Sequence, residues 1–162
     1  LSYIVRILKP VIVLLFLAMT AVTFAATLAR LFPFLPSVYW AGEVSRYLNF
    51  WITCLGIGVA LHLGTHFSMT MVRDVLPPLQ RRLATAICHI GVLILAGILI
   101  HYGIQMIQWN FDQLSAAMQL PMSYVYAAIP ICGALMILET VPALVRVLLN
   151  REPEDEGGQL LP

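Results

Sequence analysis

The sequence predicts an all-α integral membrane protein of four transmembrane helices, with an interfacial segment between the first and second and both termini cytoplasmic. Three observations carry this. Of 162 residues 60% are hydrophobic and only 10% charged, against about a quarter charged in an ordinary soluble domain. Four apolar runs each reach the roughly 20 residues that a hydrocarbon core of about 30 Å requires. The Lys and Arg residues cluster between those runs, mostly on one side.

The first run extends from Val11 to Ala29. It is too long for the apolar core of a cleavable signal peptide and has no convincing small-residue cleavage site after it. Ala18, Ala21, Ala25 and Ala29 lie along it and predict a packing face. Next comes Leu31-Phe32-Pro33-Phe34-Leu35-Pro36-Ser37-Val38-Tyr39-Trp40, whose aromatics and prolines suit the headgroup region. Ser37 is placed to cap a short interfacial helix carrying Trp40, Glu43, Arg46 and Tyr47, with Glu43 and Arg46 one turn apart and able to pair.

The second run extends from Leu48 to Met71, the third from Leu83 to Ile107 and the fourth from Met122 to Val141. Gly56, Ala60 and Gly64 fall at i, i+4 and i+8 on the second, a pattern that lets another helix approach closely. With the amino terminus inside, Arg6, Lys9, Arg73, Arg81, Arg82, Arg146 and Arg151 are cytoplasmic and only Arg30 and Arg46 external. Asp112 then marks the second external loop. Residues 1–150 form the transmembrane domain, and 151–162, with Glu152, Glu154, Asp155 and Glu156, read as a disordered cytoplasmic tail.

Net charge is +1, which excludes the basic field nucleic acid demands. Cys54, Cys88 and Cys132 each sit inside an apolar run and read as small hydrophobes, not as a disulfide framework or zinc site. No Ser, His and acid converge in a pattern for catalysis, so no enzyme, no metal site and no cofactor is expected. Ionisable residues at membrane depth are His62, His66, His89, His101 and Glu139. His66 and His89 fall at similar depth on antiparallel spans, so a b-type cytochrome anchor with haem between them is the alternative reading. Glu139, near the inner boundary, is expected to reach headgroups or pair with Arg73, Arg81 or Arg82. No paired, interrupted half-helices mark a transporter's own substrate site.

Trp40-Ala41-Gly42-Glu43-Val44-Ser45-Arg46-Tyr47-Leu48, then Gly56, His66-Phe67-Ser68-Met69 and Leu76-Pro77, resemble the small permease subunit of tripartite ATP-independent periplasmic (TRAP) transporters, the DctQ-like family. Gln113 to Met122, followed by Tyr124, Tyr126, Ile129-Pro130 and Gly133-Ala134-Leu135-Met136, is similar to that family's entry into its last helix. The resemblance implies a multi-pass inner-membrane protein. Its partners would be membrane lipid, a large multi-spanning permease and a periplasmic binding protein that delivers an organic acid. The large subunit would carry substrate and sodium as an elevator. This chain would extend the scaffold, with Trp40, Glu43 and Arg46 near the binding protein and Gly56, Ala60 and Gly64 against another helix.

Overall fold

A computed structural model describes residues 2–32, 38–73 and 78–149, with side chains outside the description at 2, 3, 64–73, 78, 79, 81 and 82. Four long helices and one short one account for most of it: α1 Ser2–Leu31, α2 Ala41–Arg73, α3 Pro78–Trp109, α4 Met122–Tyr126 and α5 Ala128–Leu148. Among the described residues four stretches are long and apolar enough to cross a membrane: Ile4–Leu31, Ala41–Leu63, Leu83–Trp109 and Met122–Leu148. The predicted four-span layout holds, with α1, α2 and α3 each outrunning the apolar run predicted for it. The tail and Ser37 lie outside the described residues.

One α2 helix replaces the predicted pair of interfacial helix and span. Its start is set by a turn in which the Ala41 amide donates to the Val38 carbonyl and the Glu43 and Val44 amides donate to the Trp40 carbonyl. No proline interrupts the chain between there and Arg73, so the helix enters the membrane unbroken. The last span loses one helical hydrogen bond, because Pro130 has no N–H to donate to the Tyr126 carbonyl, but Ala127 between α4 and α5 keeps helical dihedrals and its amide donates to the Ser123 carbonyl at 2.9 Å.

The helices form a single row in the order α1, α2, α5, α3. Among the described residues α1 packs only against α2, and α5 stands between α2 and α3 except for a marginal contact. Along α1 the residues turned inward include Val5, Leu8, Ile12, Leu15, Met19, Val22, Ala26 and Ala29, a 3-4 spacing that keeps one seam on a neighbouring helix. Ala18, Ala21 and Ala25 are exposed. The predicted alanine face therefore meets the seam only at Ala29, because branched and longer side chains fill most of it elsewhere. Thr20, Thr23 and Thr27 donate their hydroxyls to Phe16, Met19 and Thr23 carbonyls at 2.8–2.9 Å, which satisfies them in lipid. With its own hydrogen committed, Thr23 accepts one from Ser45 across the α1–α2 seam at 3.0 Å.

The tightest contact is between α3 and α5. A Cβ added at Gly103 would stand 2.7 Å from Pro130 Cδ, and one at Gly133 would stand 2.7 Å from Ile100 Cγ1 and 2.8 Å from the Ala96 carbonyl oxygen. Ala96 and Ala128 are fully enclosed at the same crossing. Small residues here let two backbones approach, and Cys54, Cys132 and Met136 fill the space toward α2 with Phe50 and Trp51 packed around them. Gly133→Val should overpack this crossing and cost about 1–3 kcal/mol, seen as a lower unfolding temperature in detergent. Gly91→Ala, where an added Cβ meets nothing, should leave that temperature unchanged.

Candidate subunit interface and intramembrane polar groups

Glu43 sits in the first turn of α2, where the helix dipole favours a carboxylate. It is buried, 9% exposed, and its partners lie 74 and 75 residues away. The Ala117 amide donates to both carboxylate oxygens at 3.1 Å and the Met118 amide donates to Oε2 at 3.3 Å. These amides belong to a compact loop between α3 and α4. Its arms are joined at Leu114 and Pro121, the Ser115 amide donates to the Leu120 carbonyl at 2.9 Å, and the Met122 amide donates to the Gln113 carbonyl at 2.8 Å. Gln119 turns the chain in a left-handed conformation, φ 56°, a position where most side chains are disfavoured. The Ser115 hydroxyl accepts from the Leu120 amide at 3.3 Å.

The carboxylate thus clasps the end of α2 to the α3–α4 loop. Arg46 is exposed and its Nε donates to the Gly42 carbonyl at 3.1 Å, so the predicted Glu43–Arg46 pairing gives way to separate backbone bonds. Trp40, 39% exposed, and Arg46 remain available at this end. The 117–118 amides were not legible as partners, since a loop amide leaves no sequence signal.

Farther along α2, Gly56 is half-buried with open space where a Cβ would be, and Ala60 is exposed. Within the chain the close approach instead falls at Gly58, where a Cβ would stand 3.1 Å from Leu135 Cβ. Gly64 lies in α2, but its surroundings are outside the description. The expected small-residue face therefore points away from α5 at its described positions. Asn49 and Thr53, both exposed, share it.

Further along α2, His62 Nδ1 and Glu139 Oε2 meet at 2.8 Å between α2 and α5. Glu139 is 9% and His62 28% exposed. The expectation that Glu139 reaches headgroups or an arginine is thereby corrected: a histidine of α2 stands at its own depth. The side chains of His66, Arg73, Arg81 and Arg82 lie outside the description. His89 Nδ1 donates to the Thr85 carbonyl at 2.7 Å. His101, exposed, accepts at Nε2 from Gln105 at 3.0 Å. The described residues give no support to a haem gripped by His66 and His89. Among the described residues no three His, Cys, Asp or Glu side chains gather as a metal-binding group.

An open row of four membrane-crossing helices, in which α2 is held by a carboxylate clasp at its first turn and by a His–Glu contact further along, defines a multi-pass helical membrane protein. The family profile of tripartite ATP-independent periplasmic transporters, DctQ component, matches residues 19–150. The chain is 24% identical over 147 residues to the ectoine TRAP transporter small permease protein TeaB of Halomonas elongata, spanning 90% of this chain and 76% of that one. To the sialic acid TRAP transporter small permease protein SiaQ of Vibrio cholerae it is 26% identical over 114 residues, 68% of this chain and 66% of that one. The isethionate TRAP transporter permease protein DctMQ of Oleidesulfovibrio alaskensis matches at 26% over 113 residues, 67% of this chain but only 18% of that protein. This chain belongs to the DctQ component family of TRAP transporters, the small permease subunits, and is a multi-pass protein of the bacterial inner membrane.

Replacing Glu43 with Gln should weaken the clasp, because a neutral amide accepts less strongly than a carboxylate. Amide hydrogen exchange at Ala117 and Met118 should then accelerate while α5 amides keep their protection. Further along α2, His62→Leu and Glu139→Leu should each destabilise the fold more than their combination does, with a coupling of about 1 kcal/mol or more by double-mutant cycle in detergent.

Proposed function

We propose that this subunit is a static scaffold for a large elevator-type permease in sodium-coupled uptake of an organic acid delivered by a periplasmic binding protein. The observation that carries the reading is the open row. Among the described residues α1 packs on one neighbour alone, Leu14, Phe16, Leu17 and Phe24 are all more than half exposed, and on α2 Ala60 is exposed with open space beside the half-buried Gly56. Helices associate in lipid through close backbone approach and interhelical hydrogen bonds. A face of small and polar residues with open space beside Gly56 suits a helix from another subunit.

The matched relatives support this division of labour. Their names specify ectoine, sialic acid and isethionate, three different solutes, which fits a shared small subunit that does not set the substrate. The DctMQ match, confined to 18% of that protein, fits a small unit working beside a much larger permease. By the distribution of Lys and Arg the Glu43 clasp faces the periplasm and the His62–Glu139 contact the cytoplasm. Trp40 and Arg46, beside the clasp, are then placed to help dock the binding protein, with Glu43 holding the neighbouring loop in shape.

A mild-detergent pull-down of the tagged chain from its native membrane tests the reading. A large multi-spanning TRAP permease should co-elute, and Gly56→Leu with Ala60→Leu should reduce its yield. A chain that purifies alone contradicts the scaffold. Should Glu43→Ala and Arg46→Ala leave both assembly and uptake unchanged, the docking role is lost while the scaffold stands.

A further inference from the structure

Gly97, His101, Gln105 and Gln108 lie on one line of α3, on the side opposite the Ala96 and Gly103 positions that meet α5. Three of the four are exposed and Gln105 is half-buried. The line continues toward the other end of α3 through Ile94, Ile90 and Ile87, 60%, 48% and 66% exposed. One half of this helix face is ordinary lipid-facing surface and the other half is polar.

Depth makes the polar half informative. Trp109, 73% exposed, closes α3 and suits the membrane interface. At about 1.5 Å per residue, Gln105 lies about 6 Å and His101 about 12 Å below it, within a hydrocarbon core about 30 Å thick. Lipid tails offer no hydrogen bonds there. Gln105 Nε2 donates to His101 Nε2, which leaves the ring proton on Nδ1. The His101 Nδ1–H, the Gln105 Oε1 and the whole Gln108 carboxamide have no partner among the described residues. These groups make a ladder of donors and acceptors with Gly97 below them, where an added Cβ meets open space.

We infer that the Gly97–His101–Gln105–Gln108 face of α3 is a hydrogen-bonded contact for a transmembrane helix of the large permease subunit. The inference rests on the scaffold reading and adds a surface to it. The occupant carries polar side chains at the depth of His101 and Gln105, because those are the groups lipid leaves unsatisfied. It approaches closely at Gly97, where no side chain stands in the way. The large permease is the occupant because the family supplies it as the membrane-embedded neighbour, and a relative carries the matching unit within a larger permease chain.

The test is in native membranes with the full chain. A photoreactive phenylalanine analogue replaces His101 or Gln108 in turn, with Leu95 on another exposed face as control, and adducts are identified by mass spectrometry. The ladder positions should join to the large permease and Leu95 should not. In parallel, the combined His101→Leu, Gln105→Leu and Gln108→Leu variant should lose about tenfold of the co-purifying permease, the scale of one interhelical hydrogen bond of about 1–2 kcal/mol. Its helical content and unfolding temperature should hold, since the face lies away from the core. Adducts only to lipid or to a second copy, or undiminished co-purification of the variant, overturn this inference while a wild-type eluate containing the permease leaves the scaffold intact. A wild-type eluate without the permease overturns both.

Discussion

The contact between α3 and α5 decides the rest of the architecture. Gly103 and Gly133 remove the side chains that would otherwise hold the two helices apart, and Ala96 and Ala128 close the space around them. Once α5 is seated on α3, its other side receives α2 through Gly58, Leu135, Cys54 and Cys132. α1 then has only α2 to pack against. A row follows instead of a closed bundle, and a row in lipid has two broad faces that its own helices never cover.

Two polar ties brace α2 against its neighbours, one at its first turn and one at His62. Glu43 reaches the 117–118 amides and so joins the start of α2 to the loop before α4. His62 and Glu139 join α2 to α5 further along. Between them the contact is almost wholly apolar, so these ties fix the register of α2 against its partners at two widely separated depths. Buried polar groups are costly unless matched, and here each buried carboxylate among the described residues has its partners within the chain. The polar groups left for others to match lie on outward faces, at Asn49 on α2 and along His101, Gln105 and Gln108 on α3. That division is what a subunit built to be covered by another should show.

Span number was legible because it depends only on length and hydropathy, and each predicted run sits inside helical structure. Helix order was not. A helix that is apolar all round gives no single face for its neighbours, so Gly56 and Ala60 marked a small-residue surface but did not show that it points away from the chain. The α1 alanines misled for the opposite reason, since Ile12, Leu15 and Met19 fill the seam beside them. Glu43 was legible as a polar residue needing a partner. Its partners are backbone amides 74 and 75 residues on, and no side-chain pattern announces those. The match of Glu139 with His62 was within reach, since both are ionisable residues at membrane depth, but in the sequence the arginines of the facing loop look the stronger partners.

The central claim is the row itself, and the distance between its outermost helices reports it directly. Spin labels at Leu17 of α1 and Leu95 of α3, both exposed, in a chain whose native cysteines are replaced, would be measured by pulsed electron resonance in lipid nanodiscs. Helix axes about 8–10 Å apart put the two ends of a row about 25 Å or more from each other. A distance in that range supports an open layer completed by a partner, whereas a distance of about 10–15 Å would mean that the four helices close into a bundle and that no broad face is left to cover.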